Sequence, residues 1–525
     1  MAPVRPKKGE EIFLGIDIGT TNCKVAVGNR RGDIFKIEEE PCRLEYPRAG
    51  WVEVDPEEGW WRPFTSALRS LLSKAGLKGH EIRGVGVSCT NSLVCLDEKG
   101  EPVRNAIMQL DRRSIGEAER IGRLIGPEEV FRLTGNRIAA GTFSAPSLLW
   151  IRREEEDRFR RIRTVLSPSG YLACRLTGNR VMDPTRAATT LLYDIRSGKW
   201  SESIIRSMDL PEEIFPAILP SSAVAGRVTV EASRMTGLQS GTPVIAGVMD
   251  SVAAAIGMGT TRPGEIGIIL GTVGRILWPL EGPSFDDRFL NVPLPGSEGW
   301  MSIACTNGTG LSLNWFSDVV SKGKRPLSRA YLLRLLDEEA SLSPPGADGL
   351  LYLPFIAGER SPIWDPMARG VFFGLDSRHT RGDLVRAIME GTAFSIRDNL
   401  EILGTVTGRR PEVIRLSGGG ARSPIWPEIL SSVLGRDLRV SSRVESECAG
   451  ALILSAIGYG EGEETRWPSP IPAEREKSIP GDPGSKKRYD GLFRLYRDLY
   501  RDLMPHYKRL YDLSMESDTE MEMVR

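Results

Sequence analysis

The 525-residue chain carries 69 Lys and Arg against 69 Asp and Glu, a formal net charge of zero, with 40% hydrophobic and 26% charged residues. This length favours two or more domains with cores of their own, and the balanced charge, with no basic stripe, offers nucleic acid no electrostatic footprint. No uninterrupted apolar run is long enough to span a membrane, and the basic segment before Glu11 lacks the apolar centre of a signal peptide, so a cytoplasmic protein is expected.

In chain order, Phe13–Ile18 reads as an apolar strand that stops at Gly19-Thr20-Thr21. Lys24–Val27 and, after the turn Arg30–Asp33, Ile34–Ile37 continue the sheet. Asp55 to Leu77 has helical spacing at Trp60, Phe64, Leu68 and Leu71, Gly84–Ser88 and Leu93–Leu96 are strands, and Thr134 to Thr177 is mainly helical. A second set begins with the buried-strand run Pro243–Val248, followed by Asp250, the small-residue helix Val252–Met258 and a hairpin over Gly267–Leu277. Thr380 to Asp383 forms a capping box for a helix whose buried face runs from Val385 to Leu403, and the strand Val413–Ser417 leads into Gly418–Ser423, with Pro424 at the first helical position. Gly460 to Lys487, rich in Pro, Gly and charge, reads as a linker. A helix marked by Tyr489, Phe493, Tyr496 and Leu503 should end or kink at Pro505, and the acidic tail 514–525 should be disordered. Alternating strands and helices make the class α/β, in two lobes with a seam near residues 250–260.

The chemistry is expected on carboxylates, hydroxyls and backbone N–H groups. Seven cysteines without a Cys-x-x-Cys pair and three widely spaced histidines recommend neither a disulfide framework nor zinc. Two Gly-Thr turns between strands, Gly19-Thr20-Thr21 and Gly271-Thr272-Val273-Gly274, bare N–H groups and a hydroxyl with no bulky side chain in the way, a good phosphate cradle. Two such turns suggest two lobes handling one ATP. Asp17, just before the first turn, can face Mg²⁺ or its water shell, or cap its own turn. Gly418, Gly419 and Gly420 allow close backbone approach to a base or ribose; no Walker lysine follows, so this is not a P-loop. Asp250 suits either a helix N-cap or a general base for a sugar hydroxyl.

Over nearly its full length the chain resembles the FGGY family of carbohydrate kinases. The stretch Gly370-Val-Phe-Phe-Gly-Leu375, seven residues, then Asp383-Leu384-x-x-Ala387-Ile388-Met389-Glu390 fits the family's C-terminal signature, and Gly358-Glu359-Arg360-Ser361-Pro362 resembles its Gly-Glu-Arg-(Thr/Ser)-Pro segment. Thr134-Gly135-Asn136 through Gly141–Trp150 is similar to the xylulokinase branch, although Ser147 stands where the N-terminal signature usually has lysine. The resemblance implies two actin-like (ribonuclease H-like) lobes with an interlobe active-site cleft, one over 11–248 and one over 249–460, then the linker 461–487, a C-terminal helix over 488–513 and the tail. It implies ATP and Mg²⁺ as cofactors, with Asp17 positioning the metal through water. It assigns Gly19, Thr20 and Thr21 to the first phosphate motif, Gly271, Thr272 and Gly274 to the second, Gly418, Gly419, Gly420, Ala421 and Arg422 to the adenosine motif, and Asp250 to catalysis.

Substrate residues are where the resemblance frays. Xylulokinases carry Gln-Met-His-Gly after the strand matching Gly84–Ser88; here Cys89-Thr90-Asn91-Ser92 is one residue shorter and lacks the histidine. Either Asn91 replaces it, or the loop is similar to that of ribulose and ribitol kinases. Asp111 with Arg113 lies where the family places a sugar-contacting pair, and Ser251 follows Asp250 where xylulokinases usually have Asn or Gln. The expected partner is a small sugar or polyol, a pentulose such as D-xylulose first, with ribulose, ribitol, glycerol, erythritol or gluconate as alternatives and a homodimer left open. The rival from another class is an actin-like nucleotide-dependent binding protein; it does not explain the 370–390 signature. A member that has lost kinase activity is opposed by the retained Asp17, Thr272 and Asp250.

Overall fold

The apolar run Ile12–Ile18 is buried along its whole length, as a central strand must be. The computed structural model describes residues 9–322, 328–441, 445–460 and 476–523. Its described residues fall into two α/β units. The first holds 9–261, 279–302 and 445–460, the second 262–278, 303–322, 328–441 and 476–523.

In the first unit Ile12–Ile18 pairs antiparallel with Asn22–Gly28, which pairs with Ile34–Pro41; on its other side it runs parallel to Ile82–Cys89. Beyond that strand lie Pro243–Ile245 and then Val224–Arg227, while Val248–Met249 also runs parallel to Ile82–Cys89. The helix Arg62–Ala75 buries Phe64, Leu68 and Leu71 in the same core as Trp60, Val25 and Val85. The run expected as one strand over Pro243–Val248 is broken at Gly247, whose φ of 111° suits glycine and whose Cβ would crowd Ser169. The stretch 134–177 is less helical than expected, because Thr164–Leu166 pairs antiparallel with Ser92–Leu96 in a small second sheet.

The small-residue helix Asp250–Met258 packs against the helix Ser446–Tyr459, backbone against backbone. A Cβ on Gly450 would overlap the Ala253 carbonyl oxygen, and one on Gly257 that of Ser446. The opposite side of Ser446–Tyr459 meets the sheet equally closely, at Gly86 against Ala451 and Gly15 against Cys448. This helix follows the second unit in sequence yet belongs to the first. Along the chain, segments of the first unit therefore alternate with segments of the second.

The second unit repeats the local design. The hairpin Glu265–Leu270 and Gly274–Leu280 lies beside a parallel strand, Val413–Ser417, which runs parallel to Leu438–Ser441. The capping box at Thr380 and Asp383 starts the helix Arg381–Thr407, as the sequence predicts. Three expectations need correction. Pro424 is not helical; the helix is Trp426–Leu434, and Ser423 Oγ accepts from the N–H groups of Ile425 and Trp426. Of the presumed linker 461–487, 461–475 lies outside the described residues, but Glu476–Ile479 is an edge strand on Leu438–Ser441. It brings Glu476 to 2.6 Å from the buried Arg415, a counter-charge that composition conceals. The last helix spans Lys486–Met523, through Pro505 and most of the tail expected to be disordered. The N–H lost at Pro505 is outweighed by burial of Tyr489, Phe493, Tyr496 and Tyr507 on either side of it.

Gly450→Ala should lower unfolding stability by about 3 kcal/mol, as forced overpacking does, and should reduce turnover with it, because the displaced backbone begins at Asp250. Urea melts and initial rates on the same preparation test both.

Candidate active site

Three strand ends meet in the first unit. In the parallel register Asp17 stands opposite Ser88 and Ile18 opposite Cys89, while Val248 and Met249 stand opposite the same Ser88 and Cys89. The chain leaves these strands at Gly19-Thr20-Thr21, Thr90-Asn91 and Asp250. Carboxyl ends of parallel strands are where open α/β sheets hold ligands, and the arrangement brings Asp17, Thr20, Thr90 and Asp250 onto one edge.

Asp17 is buried, and Ser88 Oγ donates to its Oδ1 at 2.9 Å. Burial, then the charges of Glu447 and Asp250, push its carboxyl up to about 8, against the opposing pull of the Ser88 hydrogen bond and Lys24. Lys24 is tied at 2.6 Å to Glu445. Glu445 and Glu447 stand at the head of the Ser446–Tyr459 helix, so the wedge that builds the fold also delivers two carboxylates to the site. Sequence reasoning missed both, since no local pattern around residue 446 points to a strand more than 400 residues away.

The first Gly-Thr turn works differently from expectation at one atom. Gly19 N–H donates to Asn22 O at 2.9 Å, closing the hairpin, so it is not open to a phosphate. Thr20 and the exposed Thr21 remain; Thr20 Oγ1 lies 3.3 Å from Thr90 Oγ1, which accepts from Gln109 Nε2.

Asp250 begins its helix, and its Oδ1 accepts from Ser251 N at 2.7 Å and faces Ser251 Oγ at 3.3 Å. Ser251 is thus turned onto the carboxylate beside it. The Met249 N–H donates to Thr185 Oγ1 at 2.8 Å, fixing the backbone immediately before Asp250. Arg186 Nη2 lies 3.7 Å from Asp250 Oδ1.

The other residues expected on the sugar are engaged within the protein. Asn91 is buried; its Nδ2 donates to Thr142 O at 2.7 Å and its Oδ1 lies 3.1 Å from the Thr189 hydroxyl. It lines a pocket with Ser144, Leu148, Arg186 and Thr190. Asp111 accepts from Val52 N and from Arg113 N, Nε and Nη2, all within 2.9 Å. Arg113 is buried too, 2.6 Å from Glu53 and stacked 3.8 Å from the Trp51 ring. The bonds of Asp111 and Arg113 describe a closed knot that braces the small sheet.

In the second unit the neighbouring parallel strands Glu265–Leu270 and Val413–Ser417 end side by side, Ile269 opposite Ser417. The turns that follow, Gly271–Gly274 and Gly418–Gly420, are therefore neighbours. The Gly271 and Thr272 carbonyls accept from Gly310 N and Leu311 N, which pins the Gly-Thr loop to the first turn of the helix Thr309–Ser321. Thr272 is exposed, and the buried Thr309 hydroxyl against Gly274 has no hydrogen-bond partner among the described residues. Upstream, the buried Glu359 accepts from Thr306 Oγ1, Asn307 N and Arg360 N, holding the entry to that helix. The three glycines divide their work. Gly418, with a φ of 94°, and Gly420 have Leu270 where a Cβ would go, whereas Gly419 is exposed with nothing within 4 Å. Gly418 and Gly420 serve the fold, and Gly419 leaves backbone open. Arg422 is exposed beside it.

The N-terminal domain of the FGGY family of carbohydrate kinases matches residues 12–257 and its C-terminal domain residues 268–459. The xylulose kinase of Staphylococcus xylosus is 28% identical over 498 residues, covering 93% of this chain and 99% of its own. The gluconokinase of Bacillus subtilis (strain 168) is 27% identical over 513 residues, covering 95% and 98%. Among solved structures, the xylulose kinase from Rhodospirillum rubrum shares 30% identity with a TM-score of 0.85, covering 95% of this chain and 100% of that one. The actin-like α/β class inferred from the motifs holds. With both family domains present along most of its length, the chain belongs to the FGGY family of carbohydrate kinases.

Proposed function

We propose that the acceptor is a small sugar, with a pentulose such as D-xylulose first, and that Asp250 is the base that takes the proton of its attacking hydroxyl. The observation that carries the assignment is a carboxylate at the end of the strand pair Val248–Met249 and Ile82–Cys89, partly exposed and held by Ser251, on the same edge as the first Gly-Thr turn. The near full-length likeness to proteins named xylulose kinase supports the sugar. As the hydroxyl oxygen bonds to the γ-phosphorus of ATP, its proton passes to Asp250 and the bond to the β–γ bridging oxygen breaks, releasing ADP.

The other groups take roles their surroundings suit. Thr20 and Thr21 contribute hydroxyls and N–H groups to phosphate; Thr272, Gly274 and the unpartnered Thr309 hydroxyl do so on the second unit. Gly419, Ala421 and Arg422 lie against the nucleoside, with Gly418 and Gly420 shaping that turn. Asn91 and Thr90 border the sugar, and Asp111 and Arg113 brace them.

A kinase of this family implies Mg²⁺. Among the described residues no group of three or more His, Cys, Asp or Glu side chains is placed to hold a metal by itself. Magnesium commonly keeps several waters and takes one or two carboxylates plus phosphate oxygens, and a buried carboxyl with two more carboxylates acting on it is a hard oxygen donor that would give up its proton to such a cation. Asp17 would hold the ion or its water shell. When bound, the ion neutralises charge on the phosphates; the residues themselves orient the acceptor and receive its proton.

Three outcomes test this reading. An ADP-coupled screen over D-xylulose, D- and L-ribulose, ribitol, glycerol, erythritol and gluconate should give its highest kcat/KM with D-xylulose, and Asp250→Asn should lower that kcat by about 10³-fold with ATP binding retained. ADP release that no acceptor stimulates would favour the nucleotide-dependent binding protein. Gly419→Ala meets open space, so it should leave the melting temperature unchanged while raising KM for ATP roughly tenfold.

The third concerns Asp17, whose folded-state value of about 8 lies above its ordinary value of 3.8. The folded chain therefore keeps a proton that the unfolded chain has released, and this carboxyl costs increasing stability as pH rises through that window. Asp17→Asn should melt several degrees above the parent at pH 8, with the gap closing by pH 4, while losing about 100-fold in turnover. Melting curves across pH and initial rates decide it; a variant that melts below the parent at pH 8 would count against the raised carboxyl.

A further inference from the structure

The first unit contains a cation that makes no hydrogen bond. The Arg186 side chain is fully buried, and Nε, Nη1 and Nη2 all lack a hydrogen-bond partner among the described residues. Arginine cannot escape by losing its proton, and a charge held out of water without bonded acceptors is destabilising. Its placement is not a stability device.

The surroundings of this cation point toward the reaction. Two carboxylates face it. One is Asp250, at 3.7 Å. The other is the buried Asp183, whose carboxyl burial pushes up to about 6 against the opposing pull of the Thr185 hydrogen bond and the guanidinium, and whose Oδ2 also has no hydrogen-bond partner among the described residues. Asp183 Oδ1 accepts from Thr185 N at 2.9 Å and Arg186 N at 3.2 Å, and the Thr185 hydroxyl donates to it. That hydroxyl oxygen accepts in turn from Met249 N. Three residues on, the Thr189 hydroxyl lies 3.1 Å from Asn91 Oδ1 and 2.8 Å from the Arg186 carbonyl oxygen. One short turn, Asp183 to Thr189, thus grips the backbone before Asp250, puts a positive charge beside its carboxylate and touches the side chain of Asn91. Nothing in the local sequence marks this turn as catalytic.

We propose that Arg186 is a positioning residue for phosphoryl transfer: it orients the Asp250 carboxylate and offsets, at that one group, the negative charge that Asp17 and Glu447 bring to the same edge. The inference rests on the reading of Asp250 as the base. Arg186 also lines the pocket beside Asn91, but its side chain is fully buried and the carboxylate it faces at the strand ends is Asp250, so its effect is assigned to Asp250. At 3.7 Å the guanidinium acts on the Asp250 carboxylate as a charge and does not clamp it as a bidentate arginine would.

The test is a set of four variants: Arg186→Met, Arg186→Lys, Asp250→Asn and the double variant Arg186→Met/Asp250→Asn. Arg186→Met should lose about 100-fold in kcat, the scale expected when a catalytic group is misplaced, with KM for ATP and for the sugar within about threefold of the parent. Its melting temperature should fall, because Asp250 and the buried Asp183 both lose a counter-charge, whereas Arg186→Lys, which keeps the charge, should melt with the parent. Arg186→Lys should recover about tenfold of the lost kcat by restoring charge without the planar fork. In the Asp250→Asn background the Met substitution should change the residual rate no further. Turnover retained in Arg186→Met would overturn the proposal. So would a loss of kcat in Arg186→Lys that comes only with a fall in its melting temperature, the mark of a structural role, or a rise in sugar KM at unchanged kcat, the mark of direct contact. If the Met variant does not fold, Arg186→Lys decides: parent-like melting with a tenfold or greater loss in kcat supports the inference, and full turnover overturns it. Substantial activity in Asp250→Asn alone would instead remove the base assignment.

Discussion

The first unit depends on a helix that can approach both of its neighbours only where side chains are missing. Ser446–Tyr459 lies between the sheet and the helix Asp250–Met258, and on each side glycines face carbonyl oxygens with no room for a methyl group. Dense packing of this kind transmits small displacements instead of absorbing them. The same contact sets the height of Asp250 at the start of one helix, the position of Asp17 at the end of the central strand, and the place of Glu447 at the head of the wedge. Fold and site are here one constraint seen from two ends.

That constraint has an electrostatic consequence. Bringing Asp17 out of water beside Glu447 and Asp250 raises its carboxyl well above the ordinary range, so the site is assembled against its own repulsion. The fold accepts this because the strand carrying Asp17 is buried along its whole length, and because the positive charge nearby is arranged around the edge: Lys24 is paired to Glu445, and Arg186 is buried behind Asp250. If the proposed polyphosphate and Mg²⁺ bind here, the site has reason to be built this way. Its carboxylates wait in an arrangement that a cation relieves, and groups preset in geometry need little rearrangement when the ligand arrives.

Much of this was legible in the sequence because it is local. A strand that ends at Gly-Thr, a capping box at Thr380 and Asp383, and a run of small residues after Asp250 each depend on neighbours within a few positions, and each is found where expected. The family signature over 370–390 was also legible, and the structure explains why it says little about the sugar. Asp383 caps a helix, while Glu390 is buried and accepts from Gly346 N, Arg386 and Tyr489. These residues build the second unit. What could not be read was anything fixed by distant pairing: the helix after residue 445 joining the first unit, Glu476 completing a sheet edge against Arg415, Gly19 turning its N–H into the hairpin. Composition misled where it was read as behaviour, since the Pro- and Gly-rich stretch after Gly460 hides a strand and Pro505 sits inside a helix that continues past it.

The internal bonds of the expected substrate residues were hidden from the sequence for a related reason. Position along the chain suggested that Asp111, Arg113 and Asn91 touch the sugar, yet each uses its polar atoms on the protein: Asp111 and Arg113 on each other, Asn91 on Thr142 and the Thr189 hydroxyl. A side chain so engaged can shape a pocket wall but has little capacity left to read hydroxyl groups one by one. On the proposed reading, discrimination among small sugars would fall to the shape of the wall and to the direction in which Asp250 presents its carboxylate. Those are properties of the turn Asp183–Thr189 and the strand ends it grips, and they depend on where buried groups sit, not on which exposed residues line the way in. A short loop without the histidine of the xylulokinases fits that proposed division: the segment that would contact ligand departs from the family pattern, while the turn that grips the backbone before Asp250 is locked behind it by hydrogen bonds.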